Sequence, residues 1–128
     1  RSVCTISTHD MSTLRGWWRE DKEQTQSFYN RVLRFEGAAP QEADGKICEE
    51  VLRMNLAAPS MLCLNSFQDW LSIDEKRRLP DIESERINIP SNPKHYCRYR
   101  MHIALEDLIS DNELNYKMRA LTAQSGRL

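Results

Sequence analysis

Apolar residues alternate, or recur at helical spacing, in several segments that polar residues separate. Residues 3–8 are β-branched and alternate in polarity, which predicts a strand ending at His9. Residues 21–35 and 46–57 repeat apolar side chains every three or four positions, which predicts two amphipathic helices. Residues 60–65 have a fully apolar centre, which predicts a short strand buried on both faces, as in a parallel sheet.

The second half of the chain is mostly polar before it becomes helical again. Residues 74–100 contain three prolines and predict a long loop, a kind of segment that is usually functional or disordered. Helices are predicted over about 104–124, where Ser110 and Glu113 have the spacing of a capping box. Gly126 is the expected stop.

The sequence also indicates which residues cap the helices and which helix faces are apolar. Asp44 is the expected N-cap of the helix at 46–57, and Ser66 is expected to cap a short helix that follows the second strand. The predicted apolar stripes of the three longer helices are Phe28/Val32/Phe35, Ile47/Val51/Met54 and Leu114/Met118/Leu121.

The alternation of strands and helices predicts an α/β fold with a parallel sheet. Two strands do not make a stable parallel sheet alone, and a (β/α)8 TIM barrel needs about 250 residues. The chain is therefore expected to supply two βα units of a larger barrel, and to be an incomplete barrel by itself. It begins with Arg1 and lacks an apolar leader, which favours a piece of a longer protein.

The composition of the chain argues against several classes of function. The chain has 18 basic and 19 acidic residues and a formal net charge of −1, which argues against a general nucleic-acid binder or a polybasic membrane-surface module. Hydrophobic residues make up 40% and charged residues 29%, a mixture typical of one globular domain. No apolar run approaches the roughly 20 residues of a transmembrane helix.

The four cysteines are expected to be reduced thiols. Cys4, Cys48, Cys63 and Cys97 form no CxxC pair, so a zinc site is not expected. Three of them lie in apolar segments, where a free cysteine behaves as a small hydrophobic residue. Free thiols in a reducing compartment are favoured, and disulfides in a secreted chain are the alternative.

Two dipeptides follow the predicted strands. The carboxyl ends of barrel strands carry the active site, so His9-Asp10 there could bind sugar hydroxyls or stabilise positive charge. The alternative is that Asp10 only caps a turn. Gln68-Asp69 lies at the same end of the sheet and is a second candidate for binding the substrate. The alternative is that it forms the solvated first turn of a helix.

Aromatic residues offer two further candidates. Trp17 and Trp18 could stack on a sugar, although buried aromatic side chains more often form the core. One of the two could bind sugar while the other belongs to the core. The basic and aromatic run at 94–102 could bind phosphate or RNA. Because the net charge is near zero, we favour a structural loop whose arginines pair with carboxylates and pack on tyrosine rings.

Three ordered blocks give the chain a family resemblance. Residues 7–18 (STHDMSTLRGWW) resemble the "THD…TL.GWW" segment of the 4-α-glucanotransferases known as amylomaltases or disproportionating enzymes. Residues 58–71 resemble the strand that runs into "QDLL", and residues 85–101 resemble "R.N.P…W.WR". The resemblance spans nearly the whole chain and is greatest to the plant cytosolic members. Cys97 stands where the pattern has Trp, which removes a large aromatic surface.

The resemblance implies retaining glucosyl transfer from maltose or maltooligosaccharides to a soluble glucan, in the cytoplasm and without a metal or organic cofactor. It implies that Asp10 is the carboxylate that stabilises the transition state and that His9 contacts the same sugar. The nucleophile and the acid/base precede this segment in the family, so the chain alone is expected to be inactive. The rival interpretation is a non-catalytic glucan-binding remnant that uses Trp17, Trp18 and Tyr96.

Overall fold

A two-stranded parallel sheet forms one side of the protein. In the computed structural model, which describes residues 1–128, β1 (Val3–Thr5) pairs with β2 (Leu62–Leu64). Cys4 and Cys63 are partners in the register. The predicted α/β class and the parallel pairing are confirmed. The whole-barrel context stays a prediction.

Both strands are shorter and more exposed than the sequence predicted. Each has a hydrogen-bonding partner on one side only, and the Thr5 hydroxyl donates to the Ser7 carbonyl at 2.7 Å, which bends the chain after β1. Val3, Leu62 and Leu64 are exposed by 57%, 49% and 60%. Burial on both faces is therefore wrong for this chain, because the helices cover only the face that carries the two strand cysteines.

Six α-helices and one 3-10 turn make up the rest of the regular structure. The helices are α1 (Leu14–Glu20), α2 (Lys22–Arg31), α3 (Gly45–Ala57), α4 (Phe67–Ser72), α5 (Leu105–Ser110) and α6 (Asn112–Gln124). None of them combines the length and the apolar character that crossing a membrane would require.

The sequence missed α1 and overextended α2. Thr13 caps α1 by accepting from the Gly16 amide, and Asp21 then ends α1 and caps α2. Helix α2 stops at Arg31 instead of residue 35, and Arg34 follows with a left-handed φ of 61°. The chain turns there, so Val32 is exposed and the predicted stripe through it is wrong.

Helix α3 matches its prediction in extent but only partly in its buried face. Asp44 accepts from the Ile47 amide at 2.8 Å, which confirms the predicted cap. Met54, however, is exposed by 42%. Ile47 is buried as predicted, and the other fully buried side chains of α3 are Cys48, Leu52 and Leu56, because α4 and α6 pack on that face.

The C-terminal helix begins one residue later than predicted. Asp111, not Ser110, caps α6 by accepting from the Leu114 amide at 3.1 Å, while the Ser110 hydroxyl donates back into α5. The predicted Ser110 capping box is therefore wrong. Arg77 anchors this start through Asp111, with Nε to Oδ2 at 2.5 Å, and through Glu113.

Residues 74–100 form a long loop, as the sequence predicted, and the 3-10 turn Glu83–Glu85 is its one regular element. Arg98 lies 4.7 Å from the centroid of the Tyr96 ring, which confirms the expected packing on a tyrosine. The expected ion pairs are absent from this run, since no salt bridge involves Arg98 or Arg100.

Candidate active site

The carboxyl ends of β1 and β2 open into one shallow depression. Parallel strands point the same way, so the segments that follow them meet at one edge of the sheet. Its wall comes from the segment after β1, the start of the segment after β2, and the long loop: Ser7, Thr8, His9, Met11, Thr13, Ser66, Gln68, Glu85 and Ile87. His9 lines the depression, next to Asp10 in the chain.

A tight turn presents His9 and Asp10 to solvent. The Met11 amide donates to the Thr8 carbonyl at 3.1 Å, which closes the turn around them. His9 Nε2 lies 3.3 Å from Asp10 Oδ1, and the two side chains are exposed by 64% and 50%. Asp10 Oδ2 has no hydrogen-bond partner in the protein, so it is free for a ligand.

Asn88 holds the dipeptide from the long loop. Its side-chain amide donates to Asp10 Oδ1 at 2.6 Å, and its backbone amide donates to the His9 carbonyl at 3.0 Å. A further hydrogen bond, 3.0 Å between His95 Nε2 and the Ile87 carbonyl, ties this loop to itself. Sequence reasoning gave Asn88 no role, although it lies within the third resembling block.

Gln68 and Asp69 lie at the same edge but are buried. Gln68 Nε2 donates to the Glu85 carbonyl at 3.3 Å. Asp69 accepts from the Ser66 amide at 2.8 Å while the Ser66 hydroxyl accepts from the Asp69 amide at 3.1 Å, a capping box that starts α4. Burial raises the pKa of Asp69, and the hydrogen bonds from Ser66 oppose that rise.

A buried ion pair lies beneath the depression. The guanidinium of Arg15 bonds to Glu85, and their side chains are only 3% and 4% exposed. Arg15 also donates to the Leu79 carbonyl at 2.7 Å, and the Thr13 hydroxyl donates to Glu85 at 3.2 Å. Burial raises the pKa of Glu85, and the charge of Arg15 counteracts this. The pair joins the first and third resembling blocks, and nothing in the local sequence indicated it.

Trp17 and Trp18 have different environments. Trp18 is 1% exposed, and its indole N–H donates to the Pro40 carbonyl at 2.9 Å, so it offers no face to a sugar. Trp17 is half-buried, packs edge-on against Phe28 at 5.4 Å between centroids, and lines an open apolar pocket of about 500 Å³. Met11 also lines that pocket, which places it beside the His9-Asp10 turn.

The remaining chemical candidates lie apart from the depression. All four cysteines are free, and Cys97 is exposed in the long loop. No three His, Cys, Asp or Glu side chains are grouped so that they could hold a metal ion. The functional groups at the strand ends are therefore an exposed carboxylate beside an imidazole, held by the Asn88 amide, with a buried ion pair below them.

The strand-end geometry coincides with a family match. Residues 1–106 match the family described as 4-alpha-glucanotransferase, which is most of the chain. The chain belongs to the 4-alpha-glucanotransferase family. All six residues named as site candidates fall within the matched part of this family member.

Individual relatives agree with this assignment. The 4-alpha-glucanotransferase DPE2 of Oryza sativa subsp. japonica is 35% identical over 98% of the chain, and the 4-alpha-glucanotransferase of Chlamydia trachomatis serovar D is 30% identical over 94%. The chain spans only 13% and 22% of those two relatives.

A solved structure shares the fold of this family member. The amylomaltase from Streptococcus agalactiae in complex with acarbose superposes with a TM-score of 0.70 at 21% identity, over 98% of this chain and 22% of that one. The similarity supports the α/β arrangement of the two strands and their helices.

Proposed function

We propose that this chain is the C-terminal part of a 4-alpha-glucanotransferase, where it supplies the last two βα units of a (β/α)8 barrel. The observation that carries the proposal is the exposed Asp10 at the carboxyl end of β1, held by His9 and Asn88 and with one oxygen unpaired. Family membership supports this assignment.

Asp10 acts as the electrostatic stabiliser of the reaction. In retaining transfer a carboxylate nucleophile forms a glycosyl-enzyme through an oxocarbenium-like transition state. An anion already fixed beside that centre favours charge that develops only in the transition state. Asn88 fixes Oδ1, and Oδ2 faces the sugar. The nucleophile and the acid/base come from other parts of the protein.

The other strand-end residues divide between contact and positioning. His9 contacts a hydroxyl of the same sugar, since its ring lies beside Asp10 and is largely exposed. Gln68, Asp69 and Trp18 are positioning residues, because their polar groups are already bonded within the protein. Trp17 is the aromatic residue left to meet a glucan chain.

The donor is maltose or a maltooligosaccharide, and the acceptor is a soluble glucan. The name of the rice relative and the acarbose in the Streptococcus agalactiae complex support a glucan substrate. The four free thiols suit a reducing compartment, and we place the protein in the cytoplasm.

A transfer assay tests this function. The longer protein that carries this chain should release glucose from maltose and lengthen a glucan acceptor, whereas the 128-residue chain alone should do neither. Both preparations should be assayed for glucan binding in parallel. Binding without any turnover by the longer protein would contradict the enzyme and favour a glucan-binding remnant.

A further inference from the structure

Cys4 and Cys63 face each other across the two strands. They are direct partners in the parallel register, and paired strands run about 4.8 Å apart. Disulfides join residues whose Cα atoms are about 4.4–6.8 Å apart, so the backbone spacing suits a bond. Both side chains point to the same face of the sheet because register partners share a face.

The two thiols converge on one acceptor. Cys4 Sγ and Cys63 Sγ each donate to the carbonyl oxygen of Asn55 at 3.5 Å. The side-chain amides of Asn55 and Asn65 both donate to Cys63 Sγ at 3.4 Å. Burial, and next the hydrogen bond with the Cys4 thiol, raise the pKa of Cys63. The two thiols therefore share one acceptor on the same face of the sheet.

The other two cysteines lack these features. Cys48 is fully buried in the core, and burial raises its pKa to about 11, so it is closed to reagents. Cys97 is exposed and has no neighbouring thiol. Cys4 and Cys63 are each only partly buried, which leaves them open to a small oxidant.

We propose that Cys4 and Cys63 form a reversible disulfide by exchange with a small disulfide oxidant such as glutathione disulfide. One cysteine thiolate attacks the oxidant, breaks its S–S bond and releases one glutathione thiolate. The second cysteine then attacks the mixed disulfide and displaces the other glutathione. The two protein thiols lose two protons and two electrons, and the oxidant becomes two molecules of reduced glutathione.

The disulfide would join the middle residues of the two strands that lead into the candidate active site. β1 leads into His9 and Asp10, and β2 leads into Gln68. Oxidation would tie these two strand ends together through the sheet. Reduction would leave them joined by the ladder hydrogen bonds alone.

Peptide mapping tests the pairing directly, because trypsin places each cysteine in a separate peptide. The reduced 128-residue chain is incubated with glutathione disulfide, alkylated and digested. Peptide 2–15 should be linked to peptide 54–76, and reduced glutathione should reverse the link. Cys48 in peptide 47–53 should form no disulfide, and Cys97 in peptide 95–98 should carry glutathione. Persistent glutathione on Cys4 or Cys63 without the link would overturn the proposal.

Three variants sharpen the test. In Cys4→Ser and in Cys63→Ser the second attacking thiol is missing, so the cysteine that reacts first with the oxidant should retain glutathione in the variant that keeps it. Cys97→Ser is the matched control and should leave the Cys4–Cys63 link unchanged. If Cys97→Ser abolished the link, or if neither Cys63 in Cys4→Ser nor Cys4 in Cys63→Ser retained glutathione, the exchange pathway would be wrong.

Discussion

The two strand-end dipeptides occupy equivalent places in the fold but have opposite environments. His9-Asp10 follows β1 and Gln68-Asp69 follows β2, yet the Asp10 side chain is 50% exposed whereas residue Asp69 is 3% exposed. Asp10 keeps one carboxylate oxygen free, and Asp69 uses its carboxylate to cap α4. A carboxylate at a strand end is therefore a site candidate only when the fold leaves an oxygen free.

The spacing to the next helix explains the difference. Ser66 caps α4 immediately after β2, so Asp69 falls at the third helical position, where a capping box needs it. After β1 a turn intervenes and α1 begins only at Leu14, under the separate cap Thr13. Asp10 is therefore left outside any helix and free to serve a ligand.

The largest expected effect comes from the ion pair beneath both dipeptides. Arg15→Met leaves the Glu85 carboxylate buried without its partner, and removing one member of a buried pair typically costs about 3–5 kcal/mol. Urea unfolding should show that loss, and Arg15→Met with Glu85→Leu should recover most of it. A single variant as stable as the wild type would mean that the pair does not hold the strand ends together.

The sequence revealed local features better than distant ones. The Asp44 cap and the Gly126 stop, which has a φ of +74°, follow from patterns within a few residues. The pair Arg15–Glu85 and the bond from Asn88 to Asp10 join residues 70 and 78 positions apart. Such contacts exist only once the chain has folded, so neither periodicity nor composition could indicate them.

A smaller effect is expected at the buried dipeptide. Asp69→Ala removes the capping box of α4 and should cost roughly 1 kcal/mol, the usual loss for an N-terminal cap interaction. The matched change Asp10→Ala removes no cap and should alter the free energy of unfolding by less. Equal losses in urea unfolding would contradict the assignment of Asp69 to structure and Asp10 to ligand.

The pH dependence of stability tests the buried environment of Asp69. Burial raises the pKa of Asp69 in the folded state, so the folded chain binds its proton more tightly than the unfolded chain does. The stability from this group is complete below the ordinary Asp pKa of about 3.9 and is lost as pH rises through the folded value. The advantage of wild type over Asp69→Asn should therefore shrink from acid to neutral pH. A stability advantage of the wild type that grew toward neutral pH would contradict a raised pKa for Asp69.

The smallest effect on stability is expected at Asn88. Asn88→Ala removes one exposed hydrogen bond to Asp10, and such bonds typically contribute about 1 kcal/mol or less. Its main effect should be on transfer by the longer protein, through a lower kcat, because Asp10 would lose its fixed orientation. Asn88→Asp places a like charge beside Asp10 and should lower kcat further. Unchanged kcat in both variants would remove Asn88 as a positioning residue.

The central claim is that Asp10 stabilises the transition state whereas Asp69 supports the fold. The direct measurement is kcat for glucosyl transfer from maltose by Asp10→Asn and Asp69→Asn in the longer protein, with a thermal melt of each. Asp10→Asn should melt like the wild type and lose about 10²–10³-fold in kcat, the usual cost of removing one such electrostatic group. Asp69→Asn should melt earlier and keep most of its kcat. Near-normal turnover by a folded Asp10→Asn protein would contradict the account.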